Sequence, residues 1–160
     1  MTAGPPQLGG YAVVEAPRLG DDVREHVAAG RVREAAALLG RPYELDGVVV
    51  GGDARGAELG FPTANLALDP RLLVPAYGIY AGAALGHRAA VSVGTNPHYG
   101  GREQRIEAFL LDFDGDLYGR RLVVELWERL RDERAFASER ELVGQIARDV
   151  EATRAARRPA

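Results

Sequence analysis

Alternating apolar and polar residues dominate the chain from residue 45 to residue 129 and predict β-strands there. The alternating runs are separated by glycine, asparagine and aspartate, which are the residues that favour tight turns. The predicted strands span 45–50, 77–85, 88–93, 105–113 and 122–129. Short strands with turn residues between them are typical of closed antiparallel sheets, so the pattern predicts a mainly β protein built on an antiparallel barrel.

Helical periodicity precedes this β region. Two short helices are predicted over residues 23–29 and 31–39, and the aspartate pair 21–22 supplies an N-cap for the first. Gly30 and Gly40 follow the two helices directly, where glycine commonly ends a helix. The sequence therefore predicts a short helical lead-in before the barrel.

A third helix is predicted after the last strand, beginning at Ser138. Ser138 and Glu141 have the spacing of a capping box, which satisfies free N–H groups in the first turn. Apolar residues then recur at helical spacing and form one stripe, which consists of Leu142, Val143, Ile146 and Val150. We expect this stripe to pack against the side or the mouth of the barrel.

Composition places the chain among ordinary globular proteins. Its 160 residues fit one domain with a short appendage, and 46% are hydrophobic and 27% charged. No apolar run is long enough to cross a bilayer, and the first ten residues lack the pattern of a secretory signal, so we expect a cytoplasmic protein that does not bind membranes. The net charge of −3 argues against nonspecific binding to nucleic acid.

Two residue types are missing from the sequence. The absence of cysteine excludes disulfides, thiolate chemistry and cysteine-based zinc sites. All basic residues other than histidine are arginine, so the chain has no P-loop lysine and no lysine base. Arginine can bind phosphate but does not shuttle protons.

A glycine-rich stretch, residues 51–66, interrupts the predicted strands. Four of its first ten residues are glycine, which permits positive φ and close approach of a ligand. Pro62 disfavours helical backbone at Phe61, so the chain is expected to run extended, with Thr63 and Asn65 pointing to the same side. These features fit a cradle for phosphate and a hard metal ion, and they equally fit a turn leading into a strand.

Glu107 is the carboxylate whose strand position most suggests chemistry. On the predicted strand 105–113 it alternates onto the same face as three large apolar residues, which are Phe109, Leu111 and Phe113. Removal from water there would favour the protonated carboxyl and make Glu107 a better general base. The alternative is a residue at the barrel rim paired with an arginine such as Arg105. Glu125, on the strand 122–129, is a second candidate.

The segment from Asp112 to Asp116 alternates aspartate with other residues and superficially resembles a calcium loop. The EF-hand pattern requires glutamate where Val123 stands, so the match fails and a polar turn is the expected structure. The three histidines are scattered and show no metal-ligand spacing.

The connection between the last strand and the final helix carries two arginines and an aromatic residue, Arg131, Arg134 and Phe136. Guanidinium groups and an aromatic ring can hold an anionic or planar ligand by pairing and stacking. An ordinary exposed loop can have the same composition, so the pattern alone leaves both interpretations open.

Taken together, these motifs resemble the riboflavin kinase family, specifically the kinase module of the bifunctional bacterial flavin synthetases. Five blocks occur in the family's order and spacing. They are residues 52–56 with 59–66, then 76–82, 92–97, 106–113 and 116–119. The most specific of these motifs is the Pro-Thr-Ala-Asn run over residues 62–65.

The resemblance implies a six-stranded antiparallel Greek-key barrel with a C-terminal helix. It also implies transfer of the ATP γ-phosphate to the 5′-hydroxyl of riboflavin, giving FMN, with Mg²⁺ as cofactor. By the same resemblance, Thr63 and Asn65 would hold Mg²⁺ and nucleotide phosphate, and Glu107 would be the catalytic base. Further nucleotide contacts would come from Gly52, Arg55, Gly56 and Tyr118. The flavin side would be formed by Arg131, Arg134 and Phe136.

The resemblance divides the chain into three parts. Residues 1–10 are rich in glycine and proline and are predicted to be disordered, and residues 44–157 form the expected kinase domain. Residues 32–43 resemble the connector that follows the adenylyltransferase domain in the bifunctional enzymes, and residues 11–43 would be a retained helical remnant or linker. Because that domain is missing from this sequence, we expect a protein that makes FMN but not FAD, with a separate FMN adenylyltransferase as a candidate partner.

Two departures from the family affect the phosphate side. Relatives often carry basic residues at the positions of Gly51 and Ala57, and their loss would weaken ATP binding. The alternative function is therefore a noncatalytic flavin or nucleotide binder, or an accessory protein that docks an adenylyltransferase. The presence of Thr63, Asn65 and Glu107 argues against a decayed site.

Overall fold

A computed structural model of the chain describes residues 19–51, 60–95 and 104–159. The predicted disorder over residues 1–10 and the first part of the lead-in lie outside the described residues. So do three predicted nucleotide-binding residues, Gly52, Arg55 and Gly56.

Six antiparallel strands form a closed barrel in the order β1-β2-β5-β4-β3-β6. The strands are β1 (Tyr43–Val50), β2 (Ala64–Leu68), β3 (Gly78–Ala84), β4 (His87–Thr95), β5 (Gln104–Leu110) and β6 (Arg121–Arg131). Strands β3 to β5 are consecutive neighbours and β6 returns beside β3, which is the Greek-key arrangement. The predicted fold class is confirmed.

The turn between β3 and β4 lies one residue earlier than the sequence pattern suggests. Ala84 pairs with His87, so the two turn residues are Leu85 and Gly86. Both have left-handed backbone, with φ of 52° and 79°, as a two-residue hairpin turn requires. His87 therefore belongs to β4 and not to the turn.

Strand β5 is shorter than predicted. It ends at Leu110, and Asp112 adopts φ of 58°, which breaks the alternation. Leu111 is buried, and its N–H donates to the carbonyl of Arg88 at 2.7 Å. The prediction that Leu111 and Phe113 share the strand face of Glu107 is wrong, because that face ends at Phe109.

The helical lead-in is part of the main core. It consists of α1 (Asp21–Ala28) and α2 (Val32–Leu39), and Gly40 ends α2 with φ of 77°. Four of its residues belong to the same hydrophobic cluster as the inward side chains of the barrel, namely Val23, Val27, Val32 and Ala35. On the outside, Arg33 pairs with Glu128 of β6 at 2.9 Å.

The N-cap prediction for α1 needs correction. Gly20 is the N-cap, so the residue at that position has no side chain to cap the first turn. Asp21 and Asp22 lie inside the helix, where their negative charge is favourable near the positive end of the helix dipole.

The C-terminal helix, α3 (Glu139–Ala155), packs against β3 and β4. Ser138 is its N-cap, and the Ser138 hydroxyl accepts from the N–H of Glu141 at 3.2 Å. The Glu141 carboxylate accepts from the N–H of Ala137, one residue before the position expected in a capping box. At the other end, Arg88 of β4 donates to the carbonyls of Thr153 and Ala156.

Gly82 marks a place where β3 and β6 approach too closely for a side chain. A Cβ atom at Gly82 would lie 1.8 Å from the carbonyl oxygen of Glu125, at a register shift between the two strands. We expect Gly82→Ala to lower the free energy of unfolding by about 1–3 kcal/mol, because backbone must move to admit the methyl group. Urea unfolding measures this change.

Gly144 provides the control for that substitution. It lies inside α3, and among the described residues a Cβ there would meet only the flexible end of Arg148 at 3.6 Å. Gly144→Ala is expected to raise the free energy of unfolding by about 0.5–1 kcal/mol through helix propensity. Equal effects of the two substitutions would contradict the steric argument.

Candidate active site

The polar residues of the Pro-Thr-Ala-Asn segment meet Glu107 on the outer wall of the barrel. Asn65 of β2 pairs with Glu107 of β5 in the strand register, so both side chains point away from the core. The hydroxyl of Thr63, two residues before Asn65, donates a hydrogen bond to Glu107 Oε1 at 3.0 Å. The extended backbone before β2 thus brings Thr63, Asn65 and Glu107 together.

Arg105 belongs to the same group of side chains. It lies two residues before Glu107 on β5, and its Nε is 3.4 Å from Glu107 Oε2 and 3.4 Å from Asn65 Oδ1. The side chains of Arg105 and Glu107 retain only 17% and 27% exposure. The arginine pair considered as the alternative for Glu107 is therefore present, and it coexists with the contact to Thr63.

A cavity of about 310 Å³ adjoins this group. Its walls are the end of β1, the segment 62–65, the buried residues Ala108 and Leu110 of β5, and the connection between β5 and β6. Thr63, Asn65 and the exposed Tyr118 are among the lining residues. The cavity therefore joins three of the residues expected to bind nucleotide.

The connection between β5 and β6 is held to β1 by backbone hydrogen bonds. The N–H of Gly119 donates to the carbonyl of Val49 at 2.8 Å, and the N–H of Val49 donates to the carbonyl of Arg120 at 2.9 Å. Within the connection, the N–H of Tyr118 donates to Asp116 Oδ1 at 2.9 Å. A Cβ at Gly51 would lie 3.8 Å from the Tyr118 ring, in ordinary contact. A larger residue at position 51 would therefore extend beside the wall that Tyr118 forms.

The three predicted flavin-side residues lie together. The guanidinium carbon of Arg134 is 4.6 Å from the centre of the Phe136 ring, and that of Arg131 is 5.8 Å from it. Arg131 also pairs with Asp149 of α3 at 2.8 Å. These residues form one cationic and aromatic surface between β6 and α3.

Glu133 connects this surface with the strand next to Glu107. A Cβ at Gly94 of β4 would lie 1.8 Å from Glu133 Oε1, so the Glu133 carboxylate lies directly over that glycine. Gly94 pairs with Arg105, and Ser92 of the same strand pairs with Glu107. Partial burial raises the pKa of Glu133, and the Arg131 guanidinium opposes this shift. The β6–α3 connection thus lies beside the strand pair that carries Glu107.

Glu125, the second candidate from the sequence, is elsewhere. It lies on β6, opposite β5 in the strand order of the barrel. Its carboxylate accepts from Arg158 at 3.0 Å and from Trp127 at 2.9 Å. The hydrogen bond from Arg158 is the main reason that the pKa of Glu125 is lowered. The structure assigns Glu125 to the attachment of the C-terminal segment.

Neutral oxygen atoms are the donors that the site offers to a metal ion. Within residues 19–51, 60–95 and 104–159, no group of three or more histidine, cysteine, aspartate or glutamate side chains could hold a metal. The Thr63 hydroxyl and the Asn65 amide oxygen fit Mg²⁺ only when nucleotide phosphates supply the anionic oxygens. The donor set therefore fits a metal that arrives with a nucleotide.

Sequence reasoning did not find Asp149, Glu133 or Gly94. Asp149 lies in a helix eighteen residues after Arg131, and no pattern in the sequence shows that the two side chains meet. Gly94 and Glu133 are brought together only by closure of the barrel. Arg105, in contrast, was predicted as a partner of Glu107 because it lies two residues before it on the same strand.

Known proteins share both the sequence and the fold. The family model described as "Flavokinase: Riboflavin kinase" matches residues 39–157. The chain is 42% identical over 132 residues to the bifunctional riboflavin kinase/FMN adenylyltransferase of Escherichia coli (strain K12), covering 79% of this chain and 42% of that protein. The protein of the same description from Bacillus subtilis (strain 168) is 37% identical over 134 residues, with the same coverage.

Two solved structures are similar. Riboflavin kinase from Trypanosoma brucei superposes with a TM-score of 0.51 and 26% identity, covering 71% of this chain and 78% of that chain. A chain described as a macrolide-efflux protein from Streptococcus pneumoniae superposes with a TM-score of 0.79 and 40% identity, covering 85% of this chain and 46% of that chain.

The barrel, the segment over residues 62–65 and the matched family model define the class: the chain belongs to the riboflavin kinase family. It spans less than half the length of the curated bifunctional relatives that it matches. In the part of the chain that the structure describes, no helix is both long and apolar enough to cross a membrane.

Proposed function

We propose that this protein phosphorylates riboflavin at the ribityl 5′-hydroxyl, with ATP as phosphoryl donor and Mg²⁺ as cofactor, to give FMN. The observation that carries the proposal is the contact of Thr63 with Glu107, beside Asn65 and a cavity, in a member of the riboflavin kinase family. Phosphoryl transfer requires charge neutralisation, in-line positioning and a group that takes the hydroxyl proton. The site offers a residue for each requirement.

Glu107 is the proposed base. Its Oε1 accepts from Thr63, and its Oε2 faces the Arg105 guanidinium, so the orientation of the carboxylate is fixed from two sides. A riboflavin hydroxyl placed against this carboxylate would donate its proton to Glu107 as the bond to phosphorus forms. Arg105 contributes positive charge next to the transferring phosphoryl group.

Thr63 and Asn65 are the proposed ligands of Mg²⁺ and nucleotide phosphate. The Thr63 hydroxyl donates a hydrogen bond to Glu107, so its oxygen lone pairs remain available to a cation. When bound, Mg²⁺ would neutralise charge on the phosphate oxygens. Tyr118 forms part of the cavity wall on the nucleotide side. Gly52, Arg55 and Gly56 complete the proposed nucleotide site.

Arg131, Arg134 and Phe136 are the proposed flavin side. A planar isoalloxazine ring can stack on Phe136 and on the Arg134 guanidinium. Glu133 lies over Gly94, so this surface lies beside the strand next to that of Glu107. The ring and the reacting hydroxyl of one substrate would then be held by neighbouring elements.

The direct test is incubation of the purified protein with riboflavin, ATP and Mg²⁺, followed by chromatographic separation of the flavins. We expect FMN to accumulate in proportion to enzyme and not in the absence of Mg²⁺. Binding of riboflavin without formation of FMN would favour the noncatalytic alternative. FAD among the products would contradict the expectation that this chain makes only FMN.

Removal of the Thr63 hydroxyl tests the Mg·ATP half of the site. We expect Thr63→Val to lower kcat/KM for Mg·ATP by about 10-fold to 30-fold, because the variant loses a metal ligand and the hydrogen bond to Glu107. Steady-state rates at varied Mg·ATP measure this change. Thr63→Ser retains the hydroxyl and should recover most of the loss. Equal activity of the valine and serine variants would remove Thr63 from the site.

A further inference from the structure

A buried carboxylate, Asp149 of α3, takes no part in the chemistry proposed above. Its side chain is 8% exposed, and that of its partner Arg131 is 20% exposed. Arg131 donates through Nε to Asp149 Oδ1 at 3.0 Å and through Nη2 to Oδ2 at 2.8 Å. Gln145, one helical turn earlier, donates to the same carboxylate at 2.9 Å. Both Asp149 oxygens are therefore hydrogen bonded in a fixed geometry.

The pair joins the end of β6 to the middle of α3. Arg131 is the last residue of β6, and its remaining nitrogen, Nη1, donates to the carbonyl of Asp132 at 2.9 Å. Every side-chain nitrogen of Arg131 thus already donates to a protein oxygen. Arg131 therefore links the strand to the helix, whereas Arg134, in the connection between β6 and α3, is exposed.

The connection between β6 and α3, which begins at the Arg131–Asp149 pair, carries the proposed flavin surface. Phe136 lies in contact with both guanidinium groups, and Glu133 of the same connection lies over Gly94 of β4. The β6 end of the connection is therefore joined to α3 by the Arg131–Asp149 pair, and Glu133, two residues further on, lies against β4. Displacement of Arg131 would move Phe136 relative to Glu107.

Stability alone does not account for this pair. Burial of two charges costs desolvation energy that their attraction roughly offsets, so a buried ion pair is weak evidence of stabilisation. A bidentate arginine–carboxylate pair does impose a specific geometry. Its position at the base of the connection points to geometry as its contribution.

We propose that Asp149 is a positioning residue for the flavin: through Arg131 it fixes the connection between β6 and α3, so that Phe136 and Arg134 present one preformed surface to a planar substrate. This inference rests on the proposed function. It assigns to Arg131 the role of holding the surface, and to Arg134 and Phe136 the contact with the ring.

The test compares Asp149→Asn with a matched pair on the same helix. Arg154 of α3 makes a bidentate pair with Asp112 at 2.8 and 3.1 Å, on the exposed surface and away from the connection. Asp112→Asn therefore removes the same charge from a second, exposed bidentate link between α3 and the barrel. Asparagine also tolerates the left-handed backbone at position 112.

We expect Asp149→Asn to raise KM for riboflavin by about 10-fold or more, with kcat changed less than about 3-fold and KM for ATP less than about 2-fold, because binding of the ring is lost equally from ground and transition states. Quenching of riboflavin fluorescence should show the same rise in Kd. Asp112→Asn should leave riboflavin KM and Kd at the wild-type values.

A riboflavin KM unchanged by Asp149→Asn, with only a lower unfolding midpoint, would overturn the inference and leave the pair a purely structural link. If Asp149→Asn does not fold, Gln145→Leu decides: it removes one donor to Asp149 and should raise riboflavin Kd by about 3-fold, and no change would count against the inference. If the wild type forms no FMN, the proposed function fails, and riboflavin quenching still tests Asp149.

Discussion

Replacing Glu107 by glutamine is expected to lower kcat for FMN formation by about 100-fold or more, while leaving riboflavin and ATP affinity nearly unchanged. The amide has the shape of the carboxylate and can still accept the hydrogen bond that Thr63 donates, but it cannot take a proton from the substrate hydroxyl. Steady-state kinetics combined with riboflavin fluorescence quenching separates the two quantities.

Glu125→Gln is the matched control. The same substitution is made on β6, where the Glu125 carboxylate accepts hydrogen bonds from Arg158 and Trp127 and does not contact Thr63. We expect wild-type kcat from this variant. If Glu107→Gln retained turnover, another group would have to be the base, and Glu107 would serve only to pair with Arg105.

Val27→Asp is expected to lower the free energy of unfolding by about 3–5 kcal/mol, which is a large part of the total stability of a small domain. Val27 is fully buried in the cluster that the lead-in shares with the barrel, so the new carboxylate would be removed from water among apolar side chains. Urea unfolding followed by circular dichroism measures the change.

Leu38→Asp controls for the charge and for the helix position. Leu38 is the penultimate residue of α2, as Val27 is of α1, so both aspartates meet the same unfavourable end of a helix dipole. Leu38 is 55% exposed, and we expect a cost of no more than about 1 kcal/mol. If Val27→Asp lowered the free energy of unfolding as little as Leu38→Asp, the lead-in would be a dispensable appendage to the barrel.

The barrel was predictable because its local signals agree with its tertiary contacts. Alternation in β1 places Tyr43, Leu45 and Val49 inward, and glycine or aspartate marks the turns. The prediction failed where the chain leaves regular geometry without a glycine, as at Asp112, since a run of apolar residues looks the same whether or not the strand continues. The hairpin residue Leu85 was missed for the same reason.

The arrangement of residues in the candidate site was predictable in part. Thr63 and Asn65 lie two residues apart on extended backbone, so their common side follows from strand geometry alone. Their neighbour Glu107 is forty-two residues beyond Asn65 and could be placed only by family resemblance, because the pairing of β2 with β5 skips two strands. The link between Arg131 and Asp149 depends on how α3 packs, which neither pattern nor resemblance specified.

The pairing of Asn65 with Glu107 has a consequence for how such a site can diverge. Directly opposed residues of an antiparallel pair are held about 5 Å apart by the hydrogen bonds of the ladder. Under the proposed function, the distance between the nucleotide-binding residue Asn65 and the base Glu107 is thus set by the pairing of β2 with β5. Replacement of the β6–α3 connection could therefore change which alcohol substrate is bound without changing the distance between Asn65 and Glu107.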